Sequence, residues 1–178
     1  QLEAALREEK SQVDSDTTVA LTPDIWLGSG TAPARVGFLF PGQGSQQFNM
    51  ARMLVNRFAW AQELVSRADR ITRERVGISM SRLIYRDIDR APDPEEKERW
   101  FAALSRTENA QPAICLASVL WCDFFNRLGI RPDVVGGHSL GELSACFAGG
   151  VFDVDTLLDV AVCRGEAMSA ESGTPGAM

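Results

Sequence analysis

The stretch Val134-Val-Gly-Gly-His-Ser-Leu-Gly-Glu142 constrains the chain more than any other. A short apolar run ends in two glycines, and Ser139 sits at the centre of Gly137-His-Ser-Leu-Gly141. A serine flanked in this way, after a strand candidate at Asp133 to Val135 and before the helical run Glu142-Leu-Ser-Ala-Cys-Phe-Ala148, has the sequence form of a nucleophile elbow. The turn is so tight that its flanking positions must be small, which pushes the serine outward on a strained backbone. A helix starting at Leu140 would aim its free N–H groups and positive dipole end at charge developing on a serine adduct, so the Leu140 N–H is a candidate oxyanion donor. The pentapeptide alone equally describes a tight strand-to-helix turn with no chemistry; the strand and helix on either side favour the elbow.

A second glycine turn follows a second strand candidate. Arg35-Val-Gly-Phe-Leu-Phe40 is apolar enough to be buried, and Pro41-Gly-Gln-Gly-Ser45 ends it. As a dinucleotide fingerprint this turn lacks its third glycine, and as a phosphate loop it lacks the Gly-Lys-Ser/Thr ending. Its other use is to present a bare backbone N–H, that of Gln43, to a reacting carbonyl oxygen.

Between the two turns, apolar residues from Met50 to Ile71 recur at three and four and predict one long amphipathic helix from Gln46. A shorter helix is predicted over Ser79 to Tyr85 and another over Trp100 to Leu104, with a charged, proline-bearing excursion between them. Pro112 reads as the first residue of a helix over Ala113 to Leu128 that is apolar nearly all round and ends at Gly129. Asp153 can cap a last helix that runs to about Ala170 and carries Arg164. Strands alternating with helices imply an α/β fold, a parallel sheet covered on both faces with its active site at the strand C-terminal ends.

Leu2 to Lys10 has helical composition, and residues 11–34 are a polar connector punctuated by Pro23, Gly28, Gly30 and Pro33. Residues 1–34 are therefore read as a linker and 35–178 as the domain. The chain opens on Gln1 and closes on Gly173-Thr-Pro-Gly-Ala-Met178 just after a turn, which suggests a piece of a longer polypeptide. The 178 residues carry a net charge of −6, which argues against nucleic acid as the main partner. No apolar run is long enough to span a bilayer and no secretory leader is visible. The four cysteines, Cys115, Cys122, Cys146 and Cys163, lack metal-site spacing and read as buried thiols of a cytoplasmic protein.

Four motifs together carry a resemblance. Phe38-Leu-Phe-Pro-Gly-Gln-Gly-Ser-Gln46, Thr107-Glu-Asn-Ala-Gln-Pro-Ala113, Gly137-His-Ser-Leu-Gly-Glu142 and Arg164-Gly-Glu-Ala-Met168 stand in the order and spacing of the malonyl-CoA:acyl-carrier-protein acyltransferases. The chain resembles most the acyltransferase domain of a polyketide synthase, with the stand-alone transacylase of fatty acid synthesis as the alternative.

The resemblance implies that Ser139 takes a malonyl group from malonyl-CoA as an ester and passes it to the phosphopantetheine thiol of an acyl carrier protein. It implies further that the Gln43 and Leu140 amides hold the oxyanion and that Arg164 pairs with the malonate carboxylate. No bound cofactor or metal is implied; the partners are the carrier protein, the coenzyme A thioester and, in a synthase, its other domains. The implied fold is the α/β-hydrolase-like large subdomain, with a ferredoxin-like small subdomain beyond the chain end.

Family members take the serine proton with a histidine from a later segment. The one histidine here, His138, adjoins Ser139 on a sharp elbow, projects elsewhere, and reads as a wall of the site. The domain is then expected to be catalytically incomplete without its C-terminal part. Glu142 reads as a first-turn acid facing the helix dipole. Gln111 either lines the pocket or serves the helix start. A serine hydrolase and a non-catalytic docking module are the remaining readings. Arg164 and the Gln43 turn oppose the first, and the set of active-site residues opposes the second.

Overall fold

The computed structural model describes residues 18–22, 25–28, 35–88, 90 and 92–170. These fall into two compact units, Gln1–Arg35 and Val36–Met178. In the first, β1 (Thr18–Thr22) and β2 (Ile25–Gly28) pair antiparallel, Thr18 opposite Gly28 and Ala20 opposite Trp26, with an irregularity between Ala20 and Thr22. Paired strands thus occupy part of the stretch read as a linker. The helical composition of residues 2–10 and the turn at 173–178 lie outside the described residues.

The second unit is built on β3 (Gly37–Phe40) and β4 (Val134–Gly137), parallel and in register from Gly37 opposite Val134 to Phe40 opposite Gly137. The pairing is extended at one end by Asp133, whose N–H donates to the Val36 carbonyl at 2.7 Å while its carboxylate accepts from the Val36 N–H at 2.7 Å. At the other end the His138 N–H donates to the Phe40 carbonyl at 3.2 Å. A parallel pair needs a long crossover, and here it carries five helices: α1 (Arg52–Arg57), α2 (Ala59–Val76), α3 (Met80–Ile84), α4 (Pro94–Ser105) and α5 (Thr107–Arg127). After β4 come α6 (Leu140–Ala148) and α7 (Val154–Ala170).

α5 is the spine of the unit. Every residue from Asn109 to Leu120 is buried, as its apolar circumference requires. It ends where Gly129 takes φ 79°, with the Gly129 N–H on the Asn126 carbonyl at 3.0 Å and the Ile130 N–H on the Phe125 carbonyl at 2.9 Å. One side of α5 faces β3, where the Phe38 and Phe125 rings lie 5.6 Å apart. Ile114, Leu116 and Leu120 meet Leu54, Met80, Ile84, Leu104, Leu157 and Leu158 in one core.

Four expectations are corrected. The long helix from Gln46 is two helices. Its beginning is taken up by a turn in which Asn49 and Ala51 have φ of 61° and 55°. Phe58 then adopts an extended conformation, φ −124° and ψ 127°, between α1 and α2. No proline or glycine marks that break. Its cause is tertiary, since the extended residue stacks its ring on Trp60 at 5.6 Å and packs it on Phe124 at 6.0 Å.

Pro112 lies inside α5 rather than at its start, because the helix begins five residues earlier at Thr107. A proline at that depth removes one helical N–H. The turn before it is held from outside, by the Asn109 Nδ2 on the Ala103 carbonyl at 2.7 Å and by the close approach of α7 described below.

Among the described residues, helices flank the sheet but leave part of one face uncovered. Among the described residues it has two strands. Phe38 and Phe40 face α5, whereas Leu39 and Val134 on the other face are 87% and 61% exposed.

The cysteines divide as well. Cys115 and Cys122 are buried, Cys146 is half-buried, and Cys163 is exposed on the outer side of α7. Burial pushes the Cys115 thiol up to about 11, which keeps it neutral at physiological pH.

Leu116 is fully buried, so Leu116→Ala removes side-chain volume from a close-packed centre and is expected to lower unfolding free energy by about 2–5 kcal/mol. Urea unfolding followed by circular dichroism measures it.

Candidate active site

The parallel register brings the turns after β3 and β4 to the same edge of the sheet, and the two turns touch. A Cβ on Gly141 would sit 2.1 Å from the Phe40 carbonyl oxygen, and one on Gly137 would sit 2.1 Å from the carbonyl of Gly141. On the other turn, a Cβ on Gly42 would lie 2.7 Å from the His138 carbonyl oxygen and 2.9 Å from its Nδ1. These glycines are there because backbone passes against backbone.

Ser139 is carried on this contact with φ 54° and ψ −107°, a strained conformation for a residue with a Cβ. Such strain costs on the order of 1–3 kcal/mol and persists only where the surroundings impose it. Leu140, the first residue of α6, is fully buried, and its side chain anchors the helix start.

The turn after β3 is closed internally. Ser45 Oγ donates to the Gly42 carbonyl at 2.8 Å, and the Gly44 N–H, on a residue with φ 103°, donates to Gln46 Oε1 at 2.9 Å. The Gly44 donor is thereby consumed. Among the described residues no acceptor meets the Gln43 or the Leu140 N–H. Two backbone donors on adjacent turns thus have no partner among the described residues.

Arg164 reaches this edge from α7. Its Nη2 donates to Ser139 Oγ at 3.3 Å and its Nη1 to Gln111 Oε1 at 2.7 Å. The structure therefore joins Ser139 and Arg164 directly, 25 residues apart in sequence. Gln111 does not serve the helix start, since α5 begins at Thr107. It is fully buried within α5, and its Nε2 donates to Met168 Sδ at 3.3 Å. Reading Pro112 as a helix start concealed this. With the helix beginning at Thr107, Thr107 and Gln111 stand four apart on one face.

His138 packs on Gly42, and among the described residues no hydrogen bond joins it to Ser139. Glu142 lies in the first turn of α6, where a carboxylate complements the dipole. Among the described residues no group of three or more His, Cys, Asp or Glu is placed to hold a metal ion. None of the described helices is long and apolar enough to cross a membrane. A cleft of about 600 Å³ runs between β3 and α5, lined by Phe38, Phe40, Trp121 and Phe125, and does not include Ser139 or Arg164.

Residues 37–178 match the family model described as Acyl transferase domain. The chain belongs to that family. It is 34% identical over 151 residues to the polyketide synthase GfsA of Streptomyces halstedii, which covers 82% of this chain and 2% of the synthase. It is 36% identical over 136 residues to the malonyl CoA-acyl carrier protein transacylase of Bacillus subtilis (strain 168), 76% of this chain and 38% of that protein. Among solved structures, the malonyl-CoA:ACP transacylase of Synechocystis sp. PCC 6803 superposes with a TM-score of 0.64 at 34% identity, covering 79% of this chain and 42% of the other. The chain thus spans about two fifths of the length of the transacylases it matches. That shared architecture bears out an α/β acyltransferase fold, here in the part that carries the two glycine turns.

The contact between the turns yields a test. Gly141→Ala forces a methyl into the Phe40 carbonyl, an overlap no rotamer relieves. The variant is expected to lose the elbow, with unfolding free energy down by more than about 3 kcal/mol. Glu142→Ala, one residue away and exposed, is expected to stay within about 1 kcal/mol of the parent on the same curve.

Proposed function

We propose that this chain is the part of a malonyl-CoA:acyl-carrier-protein acyltransferase that carries the nucleophile, the oxyanion donors and the carboxylate clamp. The observation that carries the reading is the Arg164 guanidinium, which touches the Ser139 hydroxyl while its other end is held by Gln111. An acyl group esterified to Ser139 and ending in a carboxylate would find a permanently charged planar cation within reach. A hydrolase acting on uncharged esters has no use for one.

In this reaction Ser139 Oγ attacks the thioester carbonyl of malonyl-CoA, and its proton passes to a base. The Gln43 and Leu140 N–H groups receive the negative charge on the carbonyl oxygen. Collapse of the tetrahedral adduct breaks the carbon–sulfur bond, and the coenzyme A thiolate leaves with the proton returned by the base. The same steps in reverse, with the phosphopantetheine thiol of a carrier protein attacking the Ser139 ester, complete a ping-pong transfer.

His138 faces Gly42, so we assign the base to a histidine in the part of the family domain that this chain does not span. The carrier protein and coenzyme A thioester are the partners, no bound cofactor takes part, and the setting is cytoplasmic, where coenzyme A thioesters are made. We read the context as polyketide synthesis. What supports this is that the relatives include the Streptomyces polyketide synthase, at 34% identity, and a polyketide biosynthesis malonyl CoA-acyl carrier protein transacylase of Bacillus velezensis, at 37% identity.

Two variants of the full-length enzyme test the proposal. Ser139→Ala is expected to abolish the +malonyl adduct seen by intact-mass spectrometry after mixing with malonyl-CoA. Arg164→Ala removes a charge-assisted pair worth about 1.5–3 kcal/mol. It is expected to lower kcat/KM for malonyl-CoA roughly ten- to a hundredfold while acetyl-CoA changes by less than about threefold. Equal loss for both donors would sink the carboxylate clamp, and free malonate as main product would restore the hydrolase reading.

A further inference from the structure

The N-terminal end of α5 is tied to both halves of the site. Thr107, its first residue, accepts a hydrogen bond through Oγ1 from Gln43 Nε2 at 3.0 Å. Gln111, one turn further on, accepts through Oε1 from Arg164 at 2.7 Å. The two side chains are four residues apart and so lie one above the other on the same helix face. One grips the turn that bears the candidate oxyanion donor; the other grips the candidate clamp.

α5 and α7 are locked together at this point. A Cβ on Gly165, next to Arg164, would lie 2.8 Å from Glu108 Cα and 3.1 Å from the Thr107 carbonyl oxygen. The glycine lets the two backbones touch. A hydrogen bond from Ser169 reaches the Glu108 carboxylate. Although burial alone would raise its pKa, hydrogen bonding with its own backbone, Arg106 and Ser169 holds Glu108 below the usual carboxylate range. Arg164 therefore starts from backbone that cannot slide along α5.

The Gln111 amide is oriented by its partners. Its oxygen must face the guanidinium, since the opposite orientation would set N–H against N–H, and its Nε2 then falls on Met168 Sδ at 3.3 Å. Arg164 and Met168 are themselves four apart on α7, so Gln111 is bracketed by one helix face. It is fully buried. A neutral acceptor in that position holds one edge of the guanidinium without neutralising it, leaving the positive charge and the Nη2 edge for an acyl carboxylate. A carboxylate there would satisfy Arg164 internally.

The geometry points to the first two turns of α5 as a positioning element: Gln111 sets the selection of carboxylate-bearing acyl groups through Arg164, and Thr107 sets the oxyanion turn through Gln43. Neither touches the reacting atoms. This rests on the function proposed above. The assignment predicts that the two residues fail differently, one by acyl charge and the other irrespective of it.

The experiment compares malonyl-CoA and acetyl-CoA as donors to pantetheine, with the full-length enzyme as wild type, Arg164→Ala, Gln111→Glu, Gln111→Met and Thr107→Val. Gln111→Glu is expected to raise KM for malonyl-CoA by about tenfold or more and to leave acetyl-CoA within about threefold. Gln111→Met keeps the volume, removes the acceptor, and is expected to shift the malonyl-to-acetyl ratio in the same direction by a smaller factor. Thr107→Val is expected to lower kcat for both donors together, about three- to tenfold, with their ratio unchanged. Thermal unfolding identifies any variant that fails to fold, and Gln111→Met carries the test if the buried carboxylate of Gln111→Glu does so.

A wild-type ratio in both Gln111 variants, or a parallel loss for both donors, overturns the Gln111 assignment. A ratio altered by Thr107→Val, or a kcat it leaves untouched, overturns the Thr107 assignment. If Arg164→Ala itself leaves the ratio unchanged, the failure lies in the clamp and not in what positions it.

Discussion

The organisation of the described domain depends on the passage of one backbone turn against another at the C-terminal edge of a two-stranded parallel sheet. The Phe40 carbonyl accepts from the His138 N–H at 3.2 Å, and Gly141 lies so close to the same carbonyl that a methyl group has no room. With this contact made, Ser139 is held in a conformation it would not choose, and α6 starts at once beneath it. The Gln43 turn is likewise packed on His138 through Gly42. The strain is sustained by an interface that supplies several close contacts for one unfavourable residue.

Much of this edge could be read in the sequence, because small residues where backbones cross leave a mark. Gly137, Gly141 and Gly42 stand where a side chain is excluded, and the apolar runs before them are short enough to be strands. Parallel pairing then forces the two turns to one end. The place of Arg164 was available only through the resemblance. A helix-borne arginine has nothing in its own spacing to tell it from a solvated one, and its contact with Ser139 is a property of how α7 crosses α5.

What the sequence concealed was decided by tertiary packing. The break at Phe58 has no local cause, since the residues around it keep the helical period of apolar positions and contain neither proline nor glycine; aromatic contacts with Trp60 and Phe124 select it. Pro112 misled in the opposite sense. Proline is suited to a helix's first turn, and that preference placed the start of α5 too late. The extra turn from Thr107 survives because Asn109 caps back to Ala103 and because Gly165 brings α7 against it.

That same extra turn gives the site its third side. Had the helix begun at Pro112, Thr107 would lie in a loop and Gln111 would be an N-terminal residue without a fixed direction. As a continuous helix, the segment delivers two acceptors at a spacing set by the backbone, about 6 Å for one turn, and bonds to both the Gln43 turn and Arg164. A proline within the helix is tolerated here because neighbouring structure stabilises the turn it weakens. The chemistry proposed for Ser139 therefore draws on the sheet edge for its nucleophile and on the first turns of α5 for the partners that aim it.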